Sequence, residues 1–316
     1  MNEREFRDKT KAILSQIQDL ERIVGRLECG WAHARDLLGL GQSLRKVLEL
    51  KTLEHMARGT YFEKIFAELP DLSDTIRIIE ETIYEDPPLT LRDGRLIKKG
   101  YSSELDELKN ISGGGKEWIR HLQEKEIERT GIKTLKVRYN KVFGYYIEIT
   151  NSNLNSVPED YIRKQTLVNA ERYITPELKE KESLVLGAEE KIVNLEFEIF
   201  IEIRNRIRMK TQDIQQAARM VALVDVYAGL AALASAHRYV RPEIRVDERI
   251  SIEEGRHPVI ERLIQDVNFV PNDTLFDNEK DRLLVITGPN MAGKSTYIRQ
   301  VALIVLLAQA GSFVPA

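Results

Sequence analysis

Eight residues in the last tenth of the sequence have the spacing of a phosphate-binding loop. Gly288-Pro-Asn-Met-Ala-Gly293-Lys294-Ser295 matches the pattern G-x-x-x-x-G-K-[ST] between a β-prone apolar run at 283–287 and a helical stretch. The glycines let backbone N–H groups converge on phosphate oxygens, and the helix N-terminus adds its positive dipole end. Lys294 is expected to reach the β- and γ-phosphates of a nucleoside triphosphate, and Ser295 to ligate Mg²⁺. The alternative is a chance glycine-rich turn before a helix.

The first part of the sequence predicts helices. Apolar residues recur at helical spacing over residues 3–85, which predicts a helical bundle region. Asp93-Gly94 between two short apolar stretches predicts a two-stranded ribbon with a tight turn. Another helix is expected over residues 103–129, with a break or kink near Gly114, because each of three consecutive glycines costs about 1 kcal/mol in a helix.

The middle of the sequence predicts a small sheet between two long helices. Three strand-like stretches within residues 134–175 indicate an antiparallel sheet. Thr175-Pro176-Glu177 then has the residue types that begin a helix, which should continue to about Lys210 and be roughly 50 Å long. Two long helices that flank a sheet predict a pair of arms with the sheet at their tip. A further helix over 212–236 leads to a domain boundary at Arg241-Pro242.

Composition narrows the class of protein. The net charge of −3 gives the whole chain no attraction for phosphate, so nucleic-acid binding would need a local basic surface. Cys29 is the only cysteine and the five histidines are scattered, which excludes an internal disulfide and a readable zinc site. The charged N-terminus lacks a secretory signal, and the longest apolar run, 301–308, is too short to span a bilayer. We therefore expect a cytoplasmic protein with no membrane partner.

Several blocks of the sequence resemble the MutS family of DNA mismatch repair ATPases. Thr287-Gly-Pro-Asn-Met-Ala-Gly-Lys-Ser-Thr296 looks like its nucleotide loop, and Glu254-Gly-Arg-His-Pro-Val259 resembles the start of its ATPase domain. Upstream stretches resemble its core, lever and clamp domains in the same order, among them Gly144-Tyr-Tyr146 and Asn169-Ala-Glu-Arg-Tyr173. The resemblance covers essentially the whole chain.

The resemblance implies a fold and a domain order. The fold would be mainly α with a small antiparallel β clamp, followed by the start of an α/β P-loop ATPase domain of the ABC type. Residues 1–130 would form the core and the incoming lever helix, 131–176 the clamp, 177–240 the outgoing lever helix and core, and 241–316 the start of the ATPase domain. In the family, ATP at one end opens or closes a clamp over DNA at the other.

The resemblance also implies ligands and site residues. ATP and Mg²⁺ would be the cofactors, Lys294 the catalytic residue and Ser295 the metal ligand. Phe269 matches the position that stacks on adenine, and the alternative is that it is simply a core residue. The full set of expected ATP-binding residues is Gly288, Pro289, Asn290, Met291, Ala292, Gly293, Lys294, Ser295, Thr296, Phe269 and Asn272.

The clamp segment carries a modest excess of basic residues, which suits contact with DNA phosphates of any sequence. The alternative is a charged face that only meets solvent. Tyr145 and Tyr146 suit packing in the sheet better than base stacking, and His257 suits a structural role. The residues expected to bind double-stranded DNA are Lys136, Arg138, Arg163, Lys164, Asn169 and Arg172.

Departures from the family pattern lead to one more expectation. The mismatch-reading domain and the acids that follow the loop in the family are absent from the sequence, so we expect a piece that binds ATP but hardly hydrolyses it. The intact protein would pair with a second copy or a related subunit. Two alternative functions fit the order of elements less well: a small-molecule P-loop kinase, which has no use for long arms, and a chromosome-organising ATPase, in which the P-loop typically precedes the coil.

Overall fold

A computed structural model of the chain describes residues 3–140, 142–263, 269–277, 279–290 and 292–316. By their contacts the residues fall into two units. The first consists of Met1–Gln16, Lys46–Leu69 and Ala217–Ala316, and the second of Ile17–Arg45 and Pro70–Gln216.

Helices make up most of the described chain. They are α1 (Glu3–Leu14), α2 (Leu20–Glu28), α3 (Ala34–Lys51), α4 (Tyr61–Ala67), α5 (Ser73–Thr82), α6 (Ser103–Thr130), α7 (Pro176–Arg208), α8 (Thr211–His237), α9 (Ile260–Leu263) and α10 (Lys294–Gln309). Thr52–Met56 and Asn151–Ser156 are short 3₁₀ helices. The strands are β1 (Lys136–Asn140), β2 (Gly144–Thr150), β3 (Ile162–Thr166), β4 (Ala170–Ile174), β5 (Ile250–Gly255) and β6 (Asn272–Phe276).

The two long helices α6 and α7 lie side by side and form the frame of the second unit. Helix α7 begins where the sequence predicts, because the Thr175 hydroxyl accepts a hydrogen bond from the Leu178 N–H at 3.2 Å and Pro176 occupies the first turn. Its 33 residues confirm the predicted length. Buried Leu178 and Val185 on α7 pack with Ile119 and Leu122 on α6, so the predicted helix pairing is confirmed.

Helix α6 is continuous through its three glycines, so the predicted break near Gly114 is wrong. A side chain at Gly115 would place its Cβ 2.3 Å from Cγ2 of Val185, whereas Gly113 and Gly114 have no atom within 4 Å of such a Cβ. Gly115 therefore lets the backbones of α6 and α7 approach closely. The packing gained there offsets the poor helix propensity of the glycines.

The small sheet packs on the end of this helix pair. Its four strands are antiparallel in the order β1-β2-β4-β3. The sequence indicated only three strands. The strand that it missed is β4, Ala170–Ile174, which follows β3 after a short turn. Buried Ile147, Ile149 and Tyr173 turn one face of the sheet towards α6 and α7. The opposite face points outward.

The ribbon predicted around Asp93-Gly94 is reduced to one bridge. Ile83 pairs with Ile97, and Gly94 makes the turn with a φ of +77°. Backbone hydrogen bonds from the Tyr84 N–H to the Leu96 carbonyl and from the Lys98 N–H to the Thr82 carbonyl flank this bridge. Glu196 of α7, which is fully buried, accepts the Leu96 N–H at 3.2 Å. Lys109 of α6 places its Nζ 2.7 Å from Glu196 Oε1 and donates to the Ile97 carbonyl at 3.1 Å.

In the first unit, a hairpin of β5 and β6 packs against α10. Ile252, Ile304 and Val314 form a small buried cluster there. The strand predicted at 283–287 is wrong, because no strand among the described residues pairs with it. Leu283 and Val285 are 80% and 79% exposed, as expected of an apolar run without a partner strand.

Helix α8 is apolar enough, by length and composition, to cross a membrane, and it is the only such helix in the described part of the chain. It contains 27 residues with a mean hydropathy of 1.6 in its most apolar stretch. A search for unbroken apolar runs misses it, because charged residues interrupt the stretch. Ile214, Ala217, Val221 and Val224 are buried at helical spacing, so one stripe of α8 belongs to the protein core.

The glycine run yields a first prediction. Gly115→Ala should lower the free energy of unfolding by about 1–3 kcal/mol, because the added methyl group overlaps Val185. Gly114→Ala should raise it by about 0.5–1 kcal/mol, because that site is open and alanine is the better helix former. Urea unfolding of both variants measures the two effects. Equal effects of the two substitutions would contradict the close approach at Gly115.

The buried carboxylate of Glu196 yields a second prediction. Lys109→Met should cost about 3–5 kcal/mol of stability, since it leaves a buried charge without its partner. Lys116→Met is the matched control, because Lys116 pairs with Glu189 on the same two helices but their side chains are 53% and 38% exposed. That substitution should cost no more than about 1 kcal/mol in the same unfolding measurement. If Lys109→Met lowered the free energy of unfolding by no more than Lys116→Met, the carboxylate of Glu196 would not be desolvated.

Candidate functional site

The loop of residues 288–295, here called the nucleotide loop, leads directly into α10. Gly288 has a φ of +155° and Gly293 a φ of +85°, conformations that glycine adopts at low cost. Gly293 is the N-cap of α10, and no side chain among the described residues caps this helix. The first N–H groups of α10 therefore have no intrahelical acceptor and suit an anion.

Lys294 lies over the nucleotide loop. Its Nζ donates to the Pro289 carbonyl at 2.9 Å and also to the Gly288 carbonyl. Ser295 is exposed and Thr296 is half-buried. The ammonium thus stays beside the loop, where a phosphate could replace the carbonyl oxygens as its partner.

The described residues of the nucleotide loop that precede Lys294 in the sequence are exposed. Pro289, Asn290 and Ala292 are exposed, and Met291 lies outside the described residues. The structure therefore brings Gly288, Pro289, Gly293 and Lys294 together by hydrogen bonds and helix capping.

Two side chains that the sequence did not single out fix α10 against the β5–β6 hairpin. The Tyr297 hydroxyl donates to the Asp273 carbonyl at 3.2 Å and shares a 2.8 Å hydrogen bond with Thr274. Buried Gln300 donates from Nε2 to the Gly255 carbonyl at 2.8 Å. The sequence does not mark these two residues, because the first half of α10 also carries the polar residues Ser295, Thr296 and Arg299.

The two residues predicted to meet the adenine lie next to this hairpin. Asn272 begins β6, pairs with Gly255, and donates from Nδ2 to the Val270 carbonyl at 3.0 Å. Phe269 is half-buried three positions earlier. The structure thus places both in the segment that carries α10, and their roles in adenine binding stay predictions.

Acids before the nucleotide loop are used by the backbone. Asp273 Oδ1 accepts the Glu254 N–H at 2.8 Å. Asp277 accepts hydrogen bonds from the N–H groups of Lys280, Asp281 and Glu279, which lower the pKa of its carboxyl group. These contacts agree with a structural role for both acids.

His257 also serves the fold. Its Nδ1 accepts the N–H groups of Val259 and Ile260, each at 3.3 Å, and its ring is buried. The ring therefore caps α9, as its position beside Pro258 suggests.

The second candidate site is the outward face of the four-stranded sheet, here called the outer face. Register places Lys136 opposite Glu148, and Glu148 opposite Arg172, in one row across β1, β2 and β4. Arg138 lies opposite Tyr146 in the adjacent row. Three of the predicted DNA-binding residues therefore share one face, with a carboxylate between them.

The two arginines of the outer face are held by neighbours. Arg172 stacks on Tyr146, with Cζ 4.4 Å from the ring centre, and donates from Nη1 to Gln165 Oε1 at 2.8 Å. Glu148 lies 3.4 Å from Nε of Arg172 and 3.6 Å from Nη1 of Arg138. The side chain of Arg172 is only 18% exposed, against 50% for Arg138.

Tyr145 points the other way, to the side that packs on α6 and α7. The two tyrosines are thus both used in packing, which confirms that interpretation of the pair.

The edge strand β3 carries the other two basic residues. Arg163 lies 3.3 Å from buried Glu171, which also accepts a hydrogen bond from Tyr173. Burial, together with that bond, raises the pKa of the Tyr173 hydroxyl to about 12. Lys164 sits where the register of β3 shifts, and its side chain is exposed. Within the described chain, neither Lys164 nor Lys136 forms an ion pair, whereas Lys141 lies outside the described residues.

One end of the sheet collects neutral polar side chains, here called the polar end. Asn153 donates from Nδ2 to Thr134 at 2.8 Å and to Thr150 at 3.1 Å. Asn151 donates its N–H to the Asn169 carbonyl at 3.1 Å. Of this group only Asn169 was predicted from the sequence, because strand and loop patterns do not show which loops meet. Such amides and hydroxyls can hydrogen-bond to a DNA backbone.

Family models match both candidate sites. The model of MutS family domain IV matches residues 100–191, which contain α6, the sheet and half of α7. The model of MutS domain V matches residues 284–316, which contain the nucleotide loop and α10.

Relatives match along nearly the whole chain. The DNA mismatch repair protein MutS of Acetivibrio thermocellus is 48% identical over 98% of this chain and 36% of its own length. Those of Alkaliphilus oremlandii and Methanosarcina acetivorans are both 51% identical, over 98% and 96% of this chain and 35% and 34% of their own lengths. The chain therefore spans about a third of the length of the curated relatives it matches. With two MutS domains matched in order and about half of its residues identical to these relatives, the chain belongs to the MutS family.

Proposed function

We propose that this chain works in DNA mismatch repair, where it binds ATP at the nucleotide loop and holds double-stranded DNA through the sheet carried by α6 and α7. The observation that carries the proposal is the presence, in one chain, of a loop with the G-x-x-x-x-G-K-[ST] spacing at a helix N-terminus and of the sheet matched by the domain IV model. The relatives bear the name DNA mismatch repair protein, which supports the same role here. Neither the kinase nor the chromosome-organising ATPase is favoured by these relatives.

ATP would be held by the chain's own groups as follows. The N–H groups of the loop and of the first turn of α10 would donate to phosphate oxygens, and Lys294 would exchange its carbonyl partners for the β- and γ-phosphates. Gly288, Pro289, Asn290, Met291, Ala292, Gly293 and Thr296 would line the phosphates, with Phe269 and Asn272 at the adenine. The exposed Ser295 hydroxyl is the residue that could ligate Mg²⁺, which would supply positive charge to neutralise the triphosphate.

Hydrolysis needs more than this loop. Residues 296–316 contain neither Asp nor Glu, and Asp273 and Asp277 are engaged by backbone N–H groups. For the 316-residue chain by itself we therefore propose ATP binding with negligible turnover. A second copy or a related subunit would act together with it in the intact protein.

DNA would be bound by phosphate contacts from Lys136, Arg138, Arg163, Lys164 and Arg172, with Asn169 and the rest of the polar end as neutral donors. Lys136 and Lys164 are the basic residues of this set that form no ion pair with a described carboxylate. Changes of ATP state would be passed to the sheet through the helix pair, as the family resemblance implies.

The nucleotide proposal predicts that Lys294→Ala abolishes the binding of ATP with Mg²⁺, because the loop loses the cation that faces the β- and γ-phosphates. Lys280→Ala, which removes an exposed lysine before the loop, should leave the affinity unchanged. Isothermal titration of the three proteins, with phosphate release followed on the same samples, measures both properties. Unchanged affinity in Lys294→Ala would refute the loop assignment, and turnover that depends on Lys294 would refute the proposed inactivity of this chain.

The DNA proposal predicts binding that weakens with salt and ignores a mismatch. The slope of log affinity against log salt should be roughly −0.9 for each phosphate contact, and Lys164→Ala should make it shallower by about one. Lys99→Ala is the control, because it removes an exposed lysine in a turn outside the sheet, and it should not change the slope. Fluorescence anisotropy with labelled duplex gives the slopes. An affinity independent of salt, or a preference for mismatched duplex, would contradict the proposal.

A further inference from the structure

The outer face carries an acid where a phosphate-binding surface would be expected to have none. Lys136, Arg138 and Arg172 give three positive charges, and Glu148 stands among them with one negative charge. Its two oxygens are divided between the arginines: Oε1 lies 3.6 Å from Arg138 and Oε2 lies 3.4 Å from Arg172. The Glu148 side chain is 19% exposed, so it is mostly withdrawn from solvent.

A DNA phosphate and this carboxylate need the same donors. Guanidinium groups bind both anions through N–H groups in a plane, so a phosphate must compete with Glu148 for Arg138 and Arg172. While Glu148 pairs with an arginine, that arginine does not neutralise a DNA phosphate. The counterion of that phosphate is then not released, and the affinity for DNA is lower. Lys164 meets no such competitor among the described residues, and Lys136 lies opposite Glu148 but forms no ion pair with it.

The surroundings keep the arginines in place without Glu148. Arg172 would still stack on Tyr146 and donate to Gln165, so its side chain would remain ordered. Arg138 is half-exposed and would be free to turn towards a ligand. Loss of the negative charge should therefore release donors rather than disorder them.

We propose that Glu148 limits the affinity of the outer face for DNA by acting as an internal competitor for Arg138 and Arg172. The inference rests on the proposed DNA binding by this sheet and names the residue that sets its strength. A moderate affinity suits a surface that must release duplex and bind it again, and Glu148 provides it without removing the arginines.

The test is Glu148→Gln, which keeps the shape of the side chain and removes its charge. Affinity for a labelled duplex at low salt should rise roughly tenfold, and the salt slope should steepen by about one to two, since two more guanidinium groups become available. Glu159→Gln is the control, because it makes the same change of net charge at an exposed acid for which the described residues offer no ion pair. Thermal unfolding of both variants checks that the fold is kept.

A double variant separates competition from a general charge effect. In an Arg138→Gln background the gain from Glu148→Gln should shrink, because one of the two released donors is missing. Equal affinities for Glu148→Gln and Glu159→Gln, or weaker binding by Glu148→Gln, would overturn the inference. If that happened, a shallower salt slope in Lys164→Ala would still support DNA binding by the sheet. The proposal about Glu148 can therefore fail while the proposal of DNA binding stands.

Discussion

The close approach of α6 and α7 is the contact on which the second unit depends. Its two fixed points differ in kind: Gly115 removes a side chain so that Val185 can pack against the backbone, and Glu196 brings a charge into the interior that Lys109 neutralises. The first is steric and the second electrostatic. Because the sheet packs on the end of this pair, its outer face is presented by the same two helices.

A comparable arrangement serves the nucleotide loop in the first unit. The loop has few contacts of its own, and its position comes from α10, which Tyr297 and Gln300 tie to the β5–β6 hairpin. Glycine at 288 and 293 then allows the backbone to turn into the helix N-terminus. The chemistry of the loop is therefore local in sequence, whereas its position depends on residues some 20 to 45 positions apart.

Local patterns predicted the local features well. The cap at Thr175, the length of α7 and the phosphate-loop spacing depend on neighbours in sequence, and the structure contains the first two as expected. The same reasoning failed where tertiary contacts decide. It could not know that Val185 stabilises a helix through Gly115, that Ala170–Ile174 finds a strand partner, or that residues 283–287 find none. Sequence patterns also do not separate Arg138 and Arg172 from Lys164, because the pairing of the two arginines with Glu148 exists only across strands.

The central claim is that one chain binds a nucleotide at the loop and DNA at the sheet. Backbone hydrogen exchange, followed by mass spectrometry for the chain alone, with Mg·ATP and with duplex DNA, tests both halves on one sample. The account predicts slower exchange at residues 288–297 with Mg·ATP and within residues 134–172 with DNA. The account would be contradicted if Mg·ATP did not slow exchange in the nucleotide loop. It would also be contradicted if DNA slowed exchange only at residues outside the sheet.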